Sequence, residues 1–347
     1  LTVGGVSSFS AGANAITLSN AANALTGAVT LTNSGTNDAT LTNTLATAIA
    51  GTIGGDLTVT SGGALSQSGA LTVGGTSSFS AGANAITLSN AGNALTGAVT
   101  LTNSGTNNVT LTNTLATAIA GTVGQDLTVT SGGALTQSGA LTVGGASSFS
   151  AGANAITLSN AANALTGAVT LTNSGANDVT LTNTLATAIA GTIGGDLTVT
   201  SGGALTQSGA LTVGGASSFS AGANTITLSN AANALTGAVT LTNSGANDVI
   251  LTNTLATSLS GTIGGDLTVT SGGALSQSGA LTVGGVSSFS AGANAITLSN
   301  AANALTGAVT LTNSGANDAT LTNTLATAIA GTIGQNLTVT SGGALTQ

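Results

Sequence analysis

The chain contains no Lys, Arg, His, Cys, Met, Trp, Tyr, Pro or Glu, and its only charged side chains are eight Asp. Each absence excludes a class of function. Without Lys or Arg there is no clamp for phosphates, so nucleic acid is not expected as a partner. Anionic membrane surfaces are excluded for the same reason. Without Cys or His the usual donors of zinc and other transition-metal sites are missing, so no metal or cofactor is expected. Nucleophile–base pairs of the Ser–His or Cys–His kind cannot be built. No catalytic residue is therefore assigned, and the chain reads as a non-enzyme. Thr, Asn, Ser and Gly interrupt every apolar stretch well short of a spanning length, so no membrane-spanning helix and no membrane insertion is expected.

What is present is repetition. Leu-Thr-Val-Gly-Gly opens at Leu1, Leu71, Leu141, Leu211 and Leu281, and the residues after each start are nearly identical. The repeats are 1–70, 71–140, 141–210, 211–280 and 281–347. So regular a repeat implies one supersecondary unit stacked on itself. The expectation is a single solenoid over 1–347. Because the sequence begins and ends inside the pattern, it reads as a segment of a longer chain. A hydrophobic fraction of 41% with little charge argues against disorder, which usually combines low hydrophobicity with high net charge.

Within each repeat apolar residues alternate with small polar ones, as in Ile16-Thr17-Leu18-Ser19, Val29-Thr30-Leu31-Thr32 and Leu57-Thr58-Val59-Thr60. That period of two marks strands with one buried face. Gly, with 53 residues, is too frequent for helices. Leu18, Leu41, Leu65 and Leu88 follow one another at nearly even steps, each close to a third of a repeat. The spacing predicts an all-β parallel β-helix with about 23 residues and three strand segments per coil, three coils to each repeat. About fifteen such coils at ~4.8 Å would make a rod of roughly 70 Å. Leu18, Leu41 and Leu65 should be buried and stacked, with Thr17, Thr30 and Thr58 outside. Gly12, Gly35, Gly51 and Gly63 should mark corners.

The copies test one another. Ile49 becomes Leu259 and Ile53 becomes Val123, as inward positions require. Val6 becomes Thr76 and then Ala146, as befits a site facing water. Asp38 becomes Asn108 and Asp56 becomes Asn336, so the carboxylate charge is dispensable at both places and these residues read as turn residues. The same substitutions speak against a calcium site and against paired carboxylates for glycoside hydrolysis.

Asn20, Asn43 and Gln67 recur near the coil period, which predicts a structural ladder of stacked amides; glycan contact is the alternative. Phe9 and its copies, one per repeat, read as core fillers. Thr30, Thr32, Thr58 and Thr60 should project outward in Thr-x-Thr rows. Such rows resemble the flat arrays of ice-binding solenoids, and otherwise simply cover a solvated sheet face.

The phrases Asp56-Leu-Thr-Val-Thr-Ser-Gly-Gly-Ala-Leu and Gly69-Ala-Leu-Thr-Val-Gly-Gly resemble the haemagglutinin-type repeats of large secreted bacterial adhesins, the filamentous-haemagglutinin-like exoproteins and autotransporter passengers. The resemblance covers the whole chain. It implies a right-handed β-helical fibre, exported across a Gram-negative outer membrane and displayed on the cell surface. The chain departs from that group in having no basic residue and in its uniform repeats. Both departures favour a stalk over a receptor-binding region. The function expected is a non-catalytic shaft of an extracellular adhesin or a self-assembling surface filament, serving cell adhesion, matrix or biofilm. The alternative is an ice- or glycan-binding solenoid acting through the Thr rows. Expected partners are further copies of the chain, end to end and laterally, and a host or environmental surface or glycan. Neither Leu1-Thr2-Val3 nor Ala344-Leu345-Thr346-Gln347 reads as a polar cap, and the edge defences Lys and Pro are absent.

Overall fold

A computed structural model describes residues 1–347. All of its regular elements are strands, and no helix is long and apolar enough to cross a membrane. The chain divides into two compact units, Leu1–Asn173 and Ser174–Gln347, with the division inside the third repeat. Each unit is a parallel β-solenoid.

The alternation seen in the sequence becomes the wall of the coil. In Leu57–Ser61 the apolar Leu57 and Val59 are buried while Thr58 and Thr60 are exposed. The same in–out pattern recurs in the copies Leu127–Ser131 and Leu197–Ser201. Leu41 and Leu65 are fully buried, as is Leu88, while Leu18 in the first turn is half-buried. Thr17 and Thr58 are exposed and Thr30 is half-buried. Phe79, Phe149, Phe219 and Phe289 are wholly enclosed, and Phe9 in the first turn is half-buried. Ile49 and Leu259 are both enclosed, as are Ile53 and Val123, whereas Val6 is exposed.

The register shows the winding. In the first unit, one column of paired strands runs Ile16–Ala39–Leu57–Ser77–Val99–Ile119. It continues from Thr117, on the strand of Ile119, to Leu135 and Ile156. The other column runs Ser7–Val29–Ile49, then from Thr47 on the same strand through Leu65, Ile86, Val109 and Leu127 to Ser147 and Val169. Seven steps therefore lead from Ile16 to Ile156, its equivalent two repeats on, and seven lead from Ser7 to Ser147. A turn takes about 20 residues.

This corrects the expected coil of about 23 residues with three coils to a repeat. Each repeat instead makes three and a half turns. Ile86, the equivalent of Ile16 one repeat later, lies on the other column, and Ile156 returns to the first. Equivalent residues thus alternate between two sheets. The three strand segments expected per coil reduce to two main ones, with short extra strands such as Ala24–Leu25 and Ala94–Leu95 between them. The expected stack Leu18–Leu41–Leu65 holds only for its first step. Leu18 lies opposite Leu41, but Leu41 lies opposite Val59, while Leu65 belongs to the other sheet, opposite Thr47 and Ile86. The row Phe9–Leu31–Val59–Phe79 breaks likewise, because Leu31 meets Gly51.

Gly51 shows why some positions admit only glycine. Its φ is 149°, and a Cβ there would lie 1.9 Å from the carbonyl oxygen of Leu31 on the preceding turn. The pairing shifts register at this residue, with one residue between Ile49 and Gly51 opposite three between Gln67 and Leu71. Gly12 and Gly35 also have positive φ, whereas Gly63 is required by close approach to Ala46.

Candidate functional site

Charge gives no centre. The Asp side chains serve the backbone: Asp38 Oδ1 accepts the N–H of Asp56 at 2.9 Å, and Asp56 Oδ1 accepts that of Thr76 at 2.6 Å. Asn108 does the same for Asp126 at 3.2 Å, because an amide oxygen also accepts. The glycine before Asp56 makes room for this tie, since a Cβ on Gly55 would lie 2.5 Å from Asp38 Oδ1. No group of three or more acidic side chains gathers anywhere.

The expected ladder Asn20–Asn43–Gln67 does not form, and each of these side chains has a different task. Asn20 Oδ1 caps its own turn by accepting the N–H of Ala22 at 2.8 Å. Asn43 is buried and copies a missing strand neighbour. Its Oδ1 accepts the N–H of Leu25 at 2.8 Å, and its Nδ2 donates to the carbonyl of Leu25 at 3.0 Å. Gln67 pairs with Asn93 across turns: its Nε2 donates to Asn93 Oδ1 at 2.6 Å, and its Oε1 accepts from Asn93 Nδ2 at 3.1 Å. The ladder fails because the three residues stand at different points around the coil.

Asn93 is the residue that the sequence reading missed. It is fully buried and ties three turns together. Its Oδ1 also accepts the N–H of Leu71, and its Nδ2 donates to the carbonyls of Leu88 and Thr112. The copies did not single it out: Asn is kept here in every repeat, from Asn23 to Asn303, but so it is at the turn position, from Asn20 to Asn300.

The Thr rows are real and longer than the residues that announced them. Ser10, Thr32, Thr52 and Thr72 stand in one row. Thr42, Thr60, Ser80, Thr102, Thr122 and Thr142 stand in another. Beside the second row run Thr40, Thr58, Ser78 and Thr100, until Ala120 ends the hydroxyls. Thr32, Thr58 and Thr60 are exposed. Spacings are about 4.8 Å between turns and roughly 7 Å along a strand. Because equivalent residues alternate between the two sheets, the double array is a patch of a few turns rather than a continuous face.

A second surface feature lies where the strand pairing opens. Leu65 pairs with Ile86 and Thr72 with Ala94, but the residues between them do not pair. The amides of Gln67 and Asn93 fill the gap. Outside them is a shallow groove lined by Ser66, Gln67, Thr87, Ser89 and Asn90. The same groove recurs at Ser276, Gln277, Thr297, Ser299 and Asn300.

Parallel strands stacked turn upon turn, with every surface feature recurring by repeat, define the class: a β-solenoid repeat protein. Within that class the chain belongs to the family described as Repeats of unknown function (DUF5649), whose model matches residues 1–32, 36–102, 106–172, 176–242 and 246–312. No curated protein and no solved structure matches the chain.

Proposed function

We propose that the chain is a non-catalytic shaft, part of an extracellular adhesin or of a self-assembling surface filament. The observation that carries this reading is that each surface feature belongs to the repeat and none is unique. The Asp ties, amide bridges and hydroxyl rows recur from copy to copy. Such a surface serves length and multiplicity rather than a single reaction. The resemblance to secreted bacterial adhesins supports placement outside the cell. Removing whole repeats from the protein in its producing cells should then weaken surface adherence gradually, with antibodies to the repeats labelling intact cells. Loss of all adherence on deleting one particular repeat would contradict the shaft reading, as would repeats that antibodies reach only after lysis.

Self-association belongs to this reading. No Lys or Pro guards any strand edge of the chain, and its low charge weakens repulsion between copies. Light scattering on the 347-residue segment should show concentration-dependent growth, and a stable monomer at high concentration would remove this part of the proposal. The row from Thr42 to Thr142 favours one further reading, binding to ice or to a surface glycan through flat hydroxyl arrays. A thermal-hysteresis assay separates ice binding from the shaft, which predicts no hysteresis.

A further inference from the structure

We propose that the groove beside each Gln–Asn amide bridge is a binding site for neutral polysaccharide. This inference is independent of the shaft reading, because the groove would bind whether or not the chain serves as a stalk.

The groove exists because backbone pairing fails there. Between the pairs Leu65–Ile86 and Thr72–Ala94 the two turns part, and three residues, Ser68, Gly69 and Ala70, bulge opposite the single residue Ala50. The floor is rigid. Gln67 Oε1 accepts the N–H of Asn90 at 3.0 Å, while the Gln67–Asn93 bridge closes the gap behind it. This frame is repeated at Gln137, Gln207 and Gln277 with closely similar distances.

The rim carries polar groups that the protein leaves open. The hydroxyls of Thr87 and Ser89 and the Nδ2 of Asn90 make no hydrogen bond within the chain, whereas Asn90 Oδ1 is held by the N–H of Gly92. The site therefore offers hydroxyls that donate or accept, together with a fixed amide donor. The hydroxyl at position 66 is engaged instead with the neighbouring strand, Ser66 donating to the carbonyl of Thr47 at 3.4 Å and Thr136 to that of Thr117 at 3.5 Å. A ligand rich in hydroxyl groups matches this set. An anionic one does not, because the chain has no basic side chain and a net charge of -8. No aromatic side chain lines the groove, so a single site binds weakly, and useful affinity comes from several grooves acting on one matrix.

Geometry adds a constraint on that matrix. Gln67 lies on the sheet of Thr47, Leu65 and Ile86, whereas Gln137 lies on that of Thr117, Leu135 and Ile156. In the first unit these are different sheets, so consecutive grooves face different directions. They suit bridging between separate polysaccharide strands better than tracking along one.

The test is affinity electrophoresis of the full chain in native gels containing dextran, laminarin or galactomannan, with polygalacturonate as the anionic control. The expected result is retardation by at least one neutral polymer and none by polygalacturonate. Changing Thr87, Thr157, Thr227 and Thr297 to Val and Ser89, Ser159, Ser229 and Ser299 to Ala should abolish that retardation, with an unchanged thermal melt. A second variant, with Thr58→Val, Thr60→Val and the same changes in the copies, should keep it. Free migration of the parent chain in all three neutral gels would overturn the proposal. So would retardation that survives the groove variant or disappears in the Thr-row variant.

Discussion

At the residue scale, buried amides take the place of missing backbone partners. Asn93 and Asn43 each bond to backbone groups on neighbouring turns where the strands do not meet. Removing such an amide leaves buried N–H and C=O groups unsatisfied, which costs about 1–3 kcal/mol for each group. Asn93→Ala should therefore lower unfolding stability by several kcal/mol, measured by denaturant titration, with Asn163→Ala behaving alike. Ser77 presents the opposite case: it and its copies, Ser7, Ser147, Ser217 and Ser287, bury a hydroxyl with no hydrogen-bond partner. Ser77→Ala should leave stability unchanged or raise it by up to about 1 kcal/mol. Asp56→Asn should change stability by less than about 0.5 kcal/mol, since the accepting oxygen remains. A large loss of stability on chelation would instead reveal a calcium site. The dispensability of the Asp charge was legible from the copies. The roles of individual Asn residues were not, because an amide that bonds to backbone leaves no charge or spacing signature distinct from one in a turn.

At the scale of the element, in–out alternation made the strands and their buried faces readable. Thr58 and Thr60 lie outside and Leu57 and Val59 inside, as period two requires. The bulge was less readable. Leu65–Val73 is one continuous strand of nine residues, yet it serves two pairings offset around Gly51. Glycine at that place looks like any corner glycine in sequence. Its need is set by the carbonyl of Leu31 on another turn. Gly121→Ala, the same position one repeat on, puts a methyl group 1.9 Å from the carbonyl oxygen of Leu101. It should cost at least about 1–3 kcal/mol through backbone strain alone, read as a lower denaturation midpoint. Gly82→Ala should cost less, because nothing lies within 4 Å of a Cβ there and only its φ of 53° resists.

For the whole molecule, the repeat is not a whole number of turns. Dividing the repeat by three overestimates the turn, and the leucine spacing supports the error because Leu18–Leu41 is a true neighbour pair. The next leucine at a similar step, Leu65, sits on the other sheet. One-dimensional spacing does not distinguish a full turn from a turn plus part of the next strand; only the register does. The solenoid class was legible because alternation, glycine corners and internal repetition all pointed to it. A deletion that respects the repeat should be tolerated: removing 71–140 should preserve the β-sheet circular dichroism spectrum and cooperative unfolding. Removing 71–93, a third of a repeat, sets unlike strands opposite one another and should lower the melting temperature markedly.

The winding itself is open to direct measurement, since the chain has no native cysteine. Thr42 lies opposite Thr60 on the next turn, whereas the expected stacking of Leu65 on Leu41 would bring Thr42 to Ser66. Two double variants, Thr42→Cys with Thr60→Cys and Thr42→Cys with Ser66→Cys, should be treated with a short thiol-bridging reagent and scored by mass spectrometry. Efficient intramolecular bridging is expected in the first and little in the second. Bridging that favours the 42–66 pair would contradict the shorter turn, and with it the alternation of successive repeats between two sheets.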